Sequence, residues 1–155
     1  MLTRRSLIFT TAAAVTLPIA GLALRPARAG TASVFNTDGI AINGFDPVAY
    51  FTERTHVSGN ETVIQDWMGA VWRFSSEENR DLFAADPAAY APQYGGYCAY
   101  AMANGYIAKT DPDAWTIHSG KLYLNYDLRV RELWSQDIEG FVARADKNWP
   151  GILNG

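Results

Sequence analysis

Cys98 is the single cysteine of this 155-residue chain, in the stretch Gly95-Gly96-Tyr97-Cys98-Ala99-Tyr100-Ala101-Met102. A lone thiol cannot close an internal disulfide. Four roles remain for it: small buried hydrophobe, link to another chain, redox handle or soft-metal ligand. Cu(I) prefers thiolate, thioether and imidazole donors, and two or three of them suffice. Cys98 and Met102 stand four apart, which puts both sulfurs on one face if the stretch is helical. His118, on a predicted hairpin, is the third candidate, with His56 and Met68 as weaker additions. Gly95-Gly96 leaves backbone amides free ahead of the thiol, which would favour thiolate. The expected metal site is therefore Cu(I) on Cys98 with Met102 or His118. Each residue also has a plain structural role: Cys98 as core filler, Met102 as packing, His118 as a solvated turn residue.

Other chemistry finds less support. Cys98 with His118 forms a nucleophile–base pair on paper, but no oxyanion motif accompanies it. Gly95-Gly96 lacks the lysine and spacing of a phosphate-binding loop. Asp46, Asp86 and Asp111 each precede proline, where helix capping explains an aspartate better than acid–base catalysis. No catalytic residue is assigned, and whether the protein is an enzyme stays open, with the balance against it.

The chain opens with Thr3-Arg4-Arg5-Ser6-Leu7-Ile8, an arginine pair ahead of an apolar run to Leu24, and Ala27-Arg28-Ala29 offers small residues to a signal peptidase. Residues 1–29 thus read as a twin-arginine signal peptide, which predicts a periplasmic protein with no membrane span after cleavage. Residues 30–155 then form a single domain. Nine basic residues there stand against sixteen acidic ones, a net charge of −7. That balance argues against nucleic acid and anionic membranes and suits cations. The partners expected are a metal ion or a metal-delivery protein, with oligomeric state open.

Short elements must position these residues. Thr62–Trp67 and Val71–Phe74 flank Met68-Gly69-Ala70 as a predicted β-hairpin. Ser75 and Glu78 read as a capping box opening a helix with Leu82 and Phe83 on one face. Asp86-Pro87 starts another short helix, and Cys98–Ala103 forms one or two turns closed by Asn104-Gly105. Trp115–Ile117 and Leu122–Leu124 predict a second hairpin, followed by helices from about Asp127 to Trp134 and over Ile138–Lys147. The fold class is α+β, small antiparallel hairpins packed with short helices. The two hairpin–helix units share offsets: Trp72 matches Tyr123, and Arg80-Asp81-Leu82-Phe83 matches Arg131-Glu132-Leu133-Trp134. Asp46-Pro47 also echoes Asp111-Pro112. Internal duplication and a packing pattern used twice both account for this.

Asp46-Pro47-Val48-Ala49-Tyr50, Trp72-Arg73-Phe74-Ser75, Asn79-Arg80-Asp81-Leu82-Phe83 and Asp86-Pro87-Ala88-Ala89-Tyr90 together resemble the YHS domain, over roughly residues 40–149. The likeness is to its exported, stand-alone branch, which continues with a Gly-Gly-Tyr-Cys-Ala segment. The resemblance implies a small treble-clef-like module and an association with metals, copper in particular. Metal-binding members carry cysteines at positions corresponding to Ala49, Ser75 and Asn79, none of which is a thiol here. The resemblance thus implies the fold without the usual metal site. Two functions follow as expectations: soft-metal buffering or delivery through Cys98, Met102 and His118, or a non-catalytic binding module. In the second, Cys98 is buried and a groove near Tyr94, Tyr97, Tyr100 and Trp115 docks a protein or small ligand.

Overall fold

The computed structural model describes residues 30–154, so the predicted signal peptide lies outside the described residues. Twelve elements follow in order: β1 (Asn36–Thr37), β2 (Ile40–Ala41), α1 (Ala49–Thr52), β3 (Asn60–Trp67), β4 (Ala70–Phe74), α2 (Glu77–Ala85), α3 (Pro87–Tyr90), α4 (Ala99–Ala103), β5 (Trp115–His118), β6 (Lys121–Leu124), α5 (Leu128–Ser135) and α6 (Ile138–Asn148). The architecture is α+β, with a four-stranded sheet ordered β1-β2-β4-β3 and a separate β5–β6 hairpin. The sheet is mixed rather than wholly antiparallel. β2 runs parallel to β4 with Ile40 opposite Val71, and Val71 N–H donates to the Gly39 carbonyl at 2.8 Å. No helix among the described residues is long and apolar enough to cross a membrane.

Both predicted hairpins form, and their turns share one chemistry. Met68-Gly69 and Ser119-Gly120 each hold two consecutive left-handed residues, with φ of 52° and 78°, then 49° and 73°. That backbone matches the twist of paired strands, and glycine relieves the second position. Seven residues beyond each turn glycine comes a helix N-cap. Ser76 accepts from Asn79 N–H at the start of α2, and Asp127 accepts from Val130 N–H at the start of α5. Seventeen residues beyond, Asp86 and Asp137 cap α3 and α6. The capping residue of α2 is thus Ser76, not Ser75, because the Ser75 side chain is engaged elsewhere.

Two apolar clusters make the core. Trp72, Phe74 and Phe83 centre the first, beside Val48 and Tyr50, while Tyr123, Trp134, Met102 and Ala145 centre the second. Each is built on a strand aromatic stacked on a helix aromatic. Trp72–Phe83 and Tyr123–Trp134 both lie 5.1 Å apart between ring centroids, at 34° and 38°. Leu82 does not join Phe83 in the core; it is partly exposed on α2. β6 divides the two clusters. Leu122 and Leu124 pack into the first and Tyr123 into the second, as strand alternation requires, and all three are buried.

A buried carboxylate ties the first unit together. Asp46 is fully buried; Oδ1 accepts from the Val48 and Ala49 N–H groups at 2.8 and 3.3 Å. Oδ2 accepts from Ser75 N–H, the Ser75 hydroxyl and Asn79 Nδ2 at 2.8, 2.7 and 2.7 Å. One side chain thereby fastens α1 to the β4–α2 junction. Asp46→Ala strands several buried donors at once, and an unsatisfied buried group costs about 1–3 kcal/mol. Urea unfolding should show Asp46→Ala destabilised by about 3 kcal/mol or more, against under about 1 kcal/mol for Leu82→Ala. Equal effects would remove the carboxylate from its central role.

Candidate functional site

Cys98 is the N-cap of α4, and its side chain takes the place usually filled by Ser, Thr, Asp or Asn. Sγ accepts from Ala101 N–H at 3.4 Å and lies 3.7 Å from Asn125 Oδ1, to which the thiol donates. The residue is 1 % exposed. Burial pushes the thiol pKa up, and neighbouring Asp127 adds to this. The amides of Ala101, Tyr126 and Tyr100 act the other way without reversing it. The glycine pair ahead does not supply helical amides. Tyr94, Gly95 and Gly96 are all left-handed, so the backbone arrives at Cys98 from outside the helix.

Asn125, directly after β6, holds this corner. It is fully buried; its N–H donates to the Ala114 carbonyl and its carbonyl accepts from Asp111 N–H. Its side-chain Oδ1 accepts from Tyr100 N–H at 3.1 Å as well as from Cys98. Nδ2 is one of two buried side-chain donors without a partner among the described residues, the other being Trp134 Nε1. The arrangement parallels the one at Asp46. There the acceptor faces amides two and three residues on, Val48 and Ala49, and a third, Ser75, six residues past Gly69. Cys98 faces Tyr100 and Ala101, two and three residues on, and Tyr126, six residues past Gly120. By its contacts, then, Cys98 stands at its helix start much as Asp46 does, while Asp111 Oδ1 accepts from Asp113 N–H, two residues on, at 2.8 Å.

Cys98 borders a cavity of about 230 Å³ whose other walls are Tyr100, Ala101, Tyr106, Ala108, Tyr126 and Val130. Tyr106 and Tyr126 stand exposed at its mouth, and Lys109 Nζ lies 5.7 Å from the Tyr126 ring centroid. The remaining candidates sit elsewhere. Met102 is fully buried in the second cluster, joined to Cys98 through the helical bond from its N–H to the Cys98 carbonyl. His118, at the end of β5, places Nε2 2.7 Å from Glu139 Oε1 on α6. His56 Nδ1 lies 2.8 Å from Asp113 Oδ1, and Met68 is at the tip of the first hairpin. Cys98 thus shares its cavity with neither Met102 nor His118. Among the described residues, no group of three or more His, Cys, Asp and Glu side chains could hold a metal ion.

The expected aromatic groove is dispersed as well. Tyr100 packs on Phe141 at 5.1 Å and lines the Cys98 cavity, Tyr94 and Tyr97 are buried, and Trp115 packs on Tyr50 at 5.5 Å. Sequence reasoning missed Asn125, Tyr106 and Tyr126. The one available signal was Asn125 itself, a polar residue ending the apolar Leu122-Tyr123-Leu124 run. No family model, curated protein or solved structure matches the chain.

A thiol held above its ordinary value near 9 ionises first in the unfolded chain. The stability this contributes is fully present below about pH 9 and is lost as pH rises through the folded-state value. Iodoacetamide should therefore alkylate Cys98 more slowly in the folded protein than in urea, about 100-fold or more at pH 8. The folded-state rate should still be climbing above pH 9. A plateau below pH 9 would reverse the assignment of a protonated, shielded thiol.

Proposed function

We propose that this chain is an exported, non-catalytic binding module whose small ligand occupies the cavity walled by Cys98, Tyr100, Tyr106 and Tyr126. The carrying observation is the placement of a protonated thiol in the wall of an apolar, tyrosine-rimmed cavity, with the other proposed metal donors engaged elsewhere. A cavity of about 230 Å³ is smaller than the 300–1,000 Å³ common for drug-sized ligands, so the occupant is small, about the size of a phenol. Tyrosine rings supply flat apolar surface with hydroxyls for orientation, which suits a compact planar molecule. The YHS-like motifs and the arginine-pair leader support a periplasmic module of that family, carried there by the twin-arginine route. The matched offsets, ring pairs and acceptor sites of the two hairpin–helix units support descent from a duplicated ancestor.

Copper buffering or delivery through Cys98, with Met102 or His118, is the competing proposal for the same thiol. One observation favours it: Cys98 borders a cavity large enough for a small ion. It requires Met102 to leave the core or His118 to leave Glu139. The deciding experiment combines Cu(I) titration under reducing conditions with ligand protection of Cys98. The binding-module reading expects equal, weak Cu(I) uptake by wild type and Cys98→Ser, and saturable protection from iodoacetamide by phenol. That protection should disappear in Val130→Trp, which fills the cavity. One equivalent of tightly held Cu(I), lost in Cys98→Ser, would establish the copper reading instead.

A further inference from the structure

Where residues of the two clusters meet, another cavity of about 220 Å³ is lined chiefly by Trp67, Met68, Trp72, Pro92, Tyr94 and Trp149. Nothing in the reading of Cys98 uses it. Its aromatics come in two steeply inclined pairs, Trp67–Trp72 at 5.7 Å and 58° and Tyr94–Trp149 at 6.3 Å and 70°. The chain has gone to some length to form it. Tyr94 and Gly95 are both left-handed, and a Cβ on Gly95 would run into the Ser33 carbonyl and come within 3.2 Å of Trp149. Met68 occupies a left-handed turn position that asparagine, aspartate or glycine fills more easily, and it is 53 % exposed. A strained, exposed thioether on the rim of an aromatic cavity has no evident structural purpose.

The lining narrows what can enter. No charged side chain borders the cavity, so an anion finds no cation and a strongly hydrated metal ion finds no carboxylate. The polar atoms of two ring walls are already committed: Trp72 Nε1 donates to the Trp67 carbonyl at 3.0 Å, and the Tyr94 hydroxyl donates to Asp146 Oδ1 at 2.9 Å. Donation to a carboxylate enriches the Tyr94 ring in electron density and strengthens the negative potential over its face. The described residues carry a net charge of −7, which draws cations to the surface. A weakly hydrated cation loses little on leaving water and gains from the ring quadrupoles and the polarisable sulfur.

We propose that this cavity is a binding site for a trimethylammonium group. Trp67 and Trp149, the two partly exposed rings, supply the face of the site, Met68 closes its rim and the acidic surface supplies the long-range attraction.

Choline and 3,3-dimethylbutan-1-ol test this directly, because they share a shape and differ in the charge at one atom. Titrations of residues 30–155, followed by tryptophan fluorescence and calorimetry, should show saturable choline binding about tenfold or more tighter than the neutral alcohol. Met68→Asn suits the turn, and Trp149→Leu removes one ring; each should weaken choline several-fold. Choline should leave the rate of Cys98 alkylation unchanged, which separates this site from the other cavity. Phosphatidylcholine vesicles form a second arm. Choline binding without co-sedimentation assigns a free ion, and co-sedimentation that choline displaces assigns a lipid headgroup; both uphold the site. Equal affinity for alcohol and cation, binding of neither, or choline binding unaltered in both variants would overturn it.

Discussion

A strand buried on both faces is the constraint around which this molecule is arranged. β6 sends Leu122 and Leu124 into one cluster and Tyr123 into the other, so neither cluster can shift without the strand. A strand of four residues cannot hold that position through one hairpin partner alone. Its C-terminal end is anchored by Asn125, whose backbone pairs with Asp111 and Ala114 and whose side chain takes the Tyr100 amide and the Cys98 thiol. The thiol is thus part of the anchorage that fixes β6. This is why it is buried and why burial holds its pKa up.

The same device appears in the first unit with a different atom. Asp46 gathers the amides that open α1 and the amide and hydroxyl of Ser75 at the β4–α2 junction. A carboxylate accepts all of these strongly, because bonds to an ionised acceptor are about twice as strong as neutral ones. Sulfur at the matching position accepts weakly and keeps a proton to give away. The second unit therefore needs Asn125, whose amide oxygen accepts where a carboxylate oxygen would. The exchange leaves an unpaired Asn125 Nδ2, a cost the first unit does not carry. The anchor of the second unit is therefore the weaker of the two, built on a buried thiol and an amide in place of a carboxylate.

Much of this fold was legible in the chain. Strands rich in β-branched and aromatic residues around Met68-Gly69 and Ser119-Gly120 announced both hairpins, and Asp86 ahead of proline announced its helix by capping chemistry. These signals are local, and local signals survive folding. The capping box at Ser75 and Glu78 misled by one residue, because Ser75 had a partner twenty-nine residues earlier that no window could reveal. The parallel β2–β4 contact was hidden for the same reason: it rests on one residue pair between distant segments. The site was less legible than the fold. Spacing placed Cys98 and Met102 on one short helix, as the structure has it, but spacing says nothing of direction. An N-cap side chain turns back over the start of its helix, whereas Met102, one turn on, drops into the core against Tyr123 and Trp134.

Direction also explains the openings at Cys98 and at Trp67–Trp149, two of those in this small domain. Stacked ring pairs fill the centres of both clusters, but rings are stiff plates that meet at steep angles and leave gaps where their edges diverge. A flexible aliphatic side chain would close such gaps. At the Trp67–Trp149 cavity the nearest one, Met68, is held by its hairpin turn at the rim instead. At the Cys98 cavity the aliphatic wall residues are Ala101, Ala108 and Val130, all short. Filling either gap with a longer apolar side chain would add burial at no cost to any hydrogen bond described here. The two openings are thus the places where the packing of both clusters is least complete, set by ring geometry on one side and by short or turn-held side chains on the other.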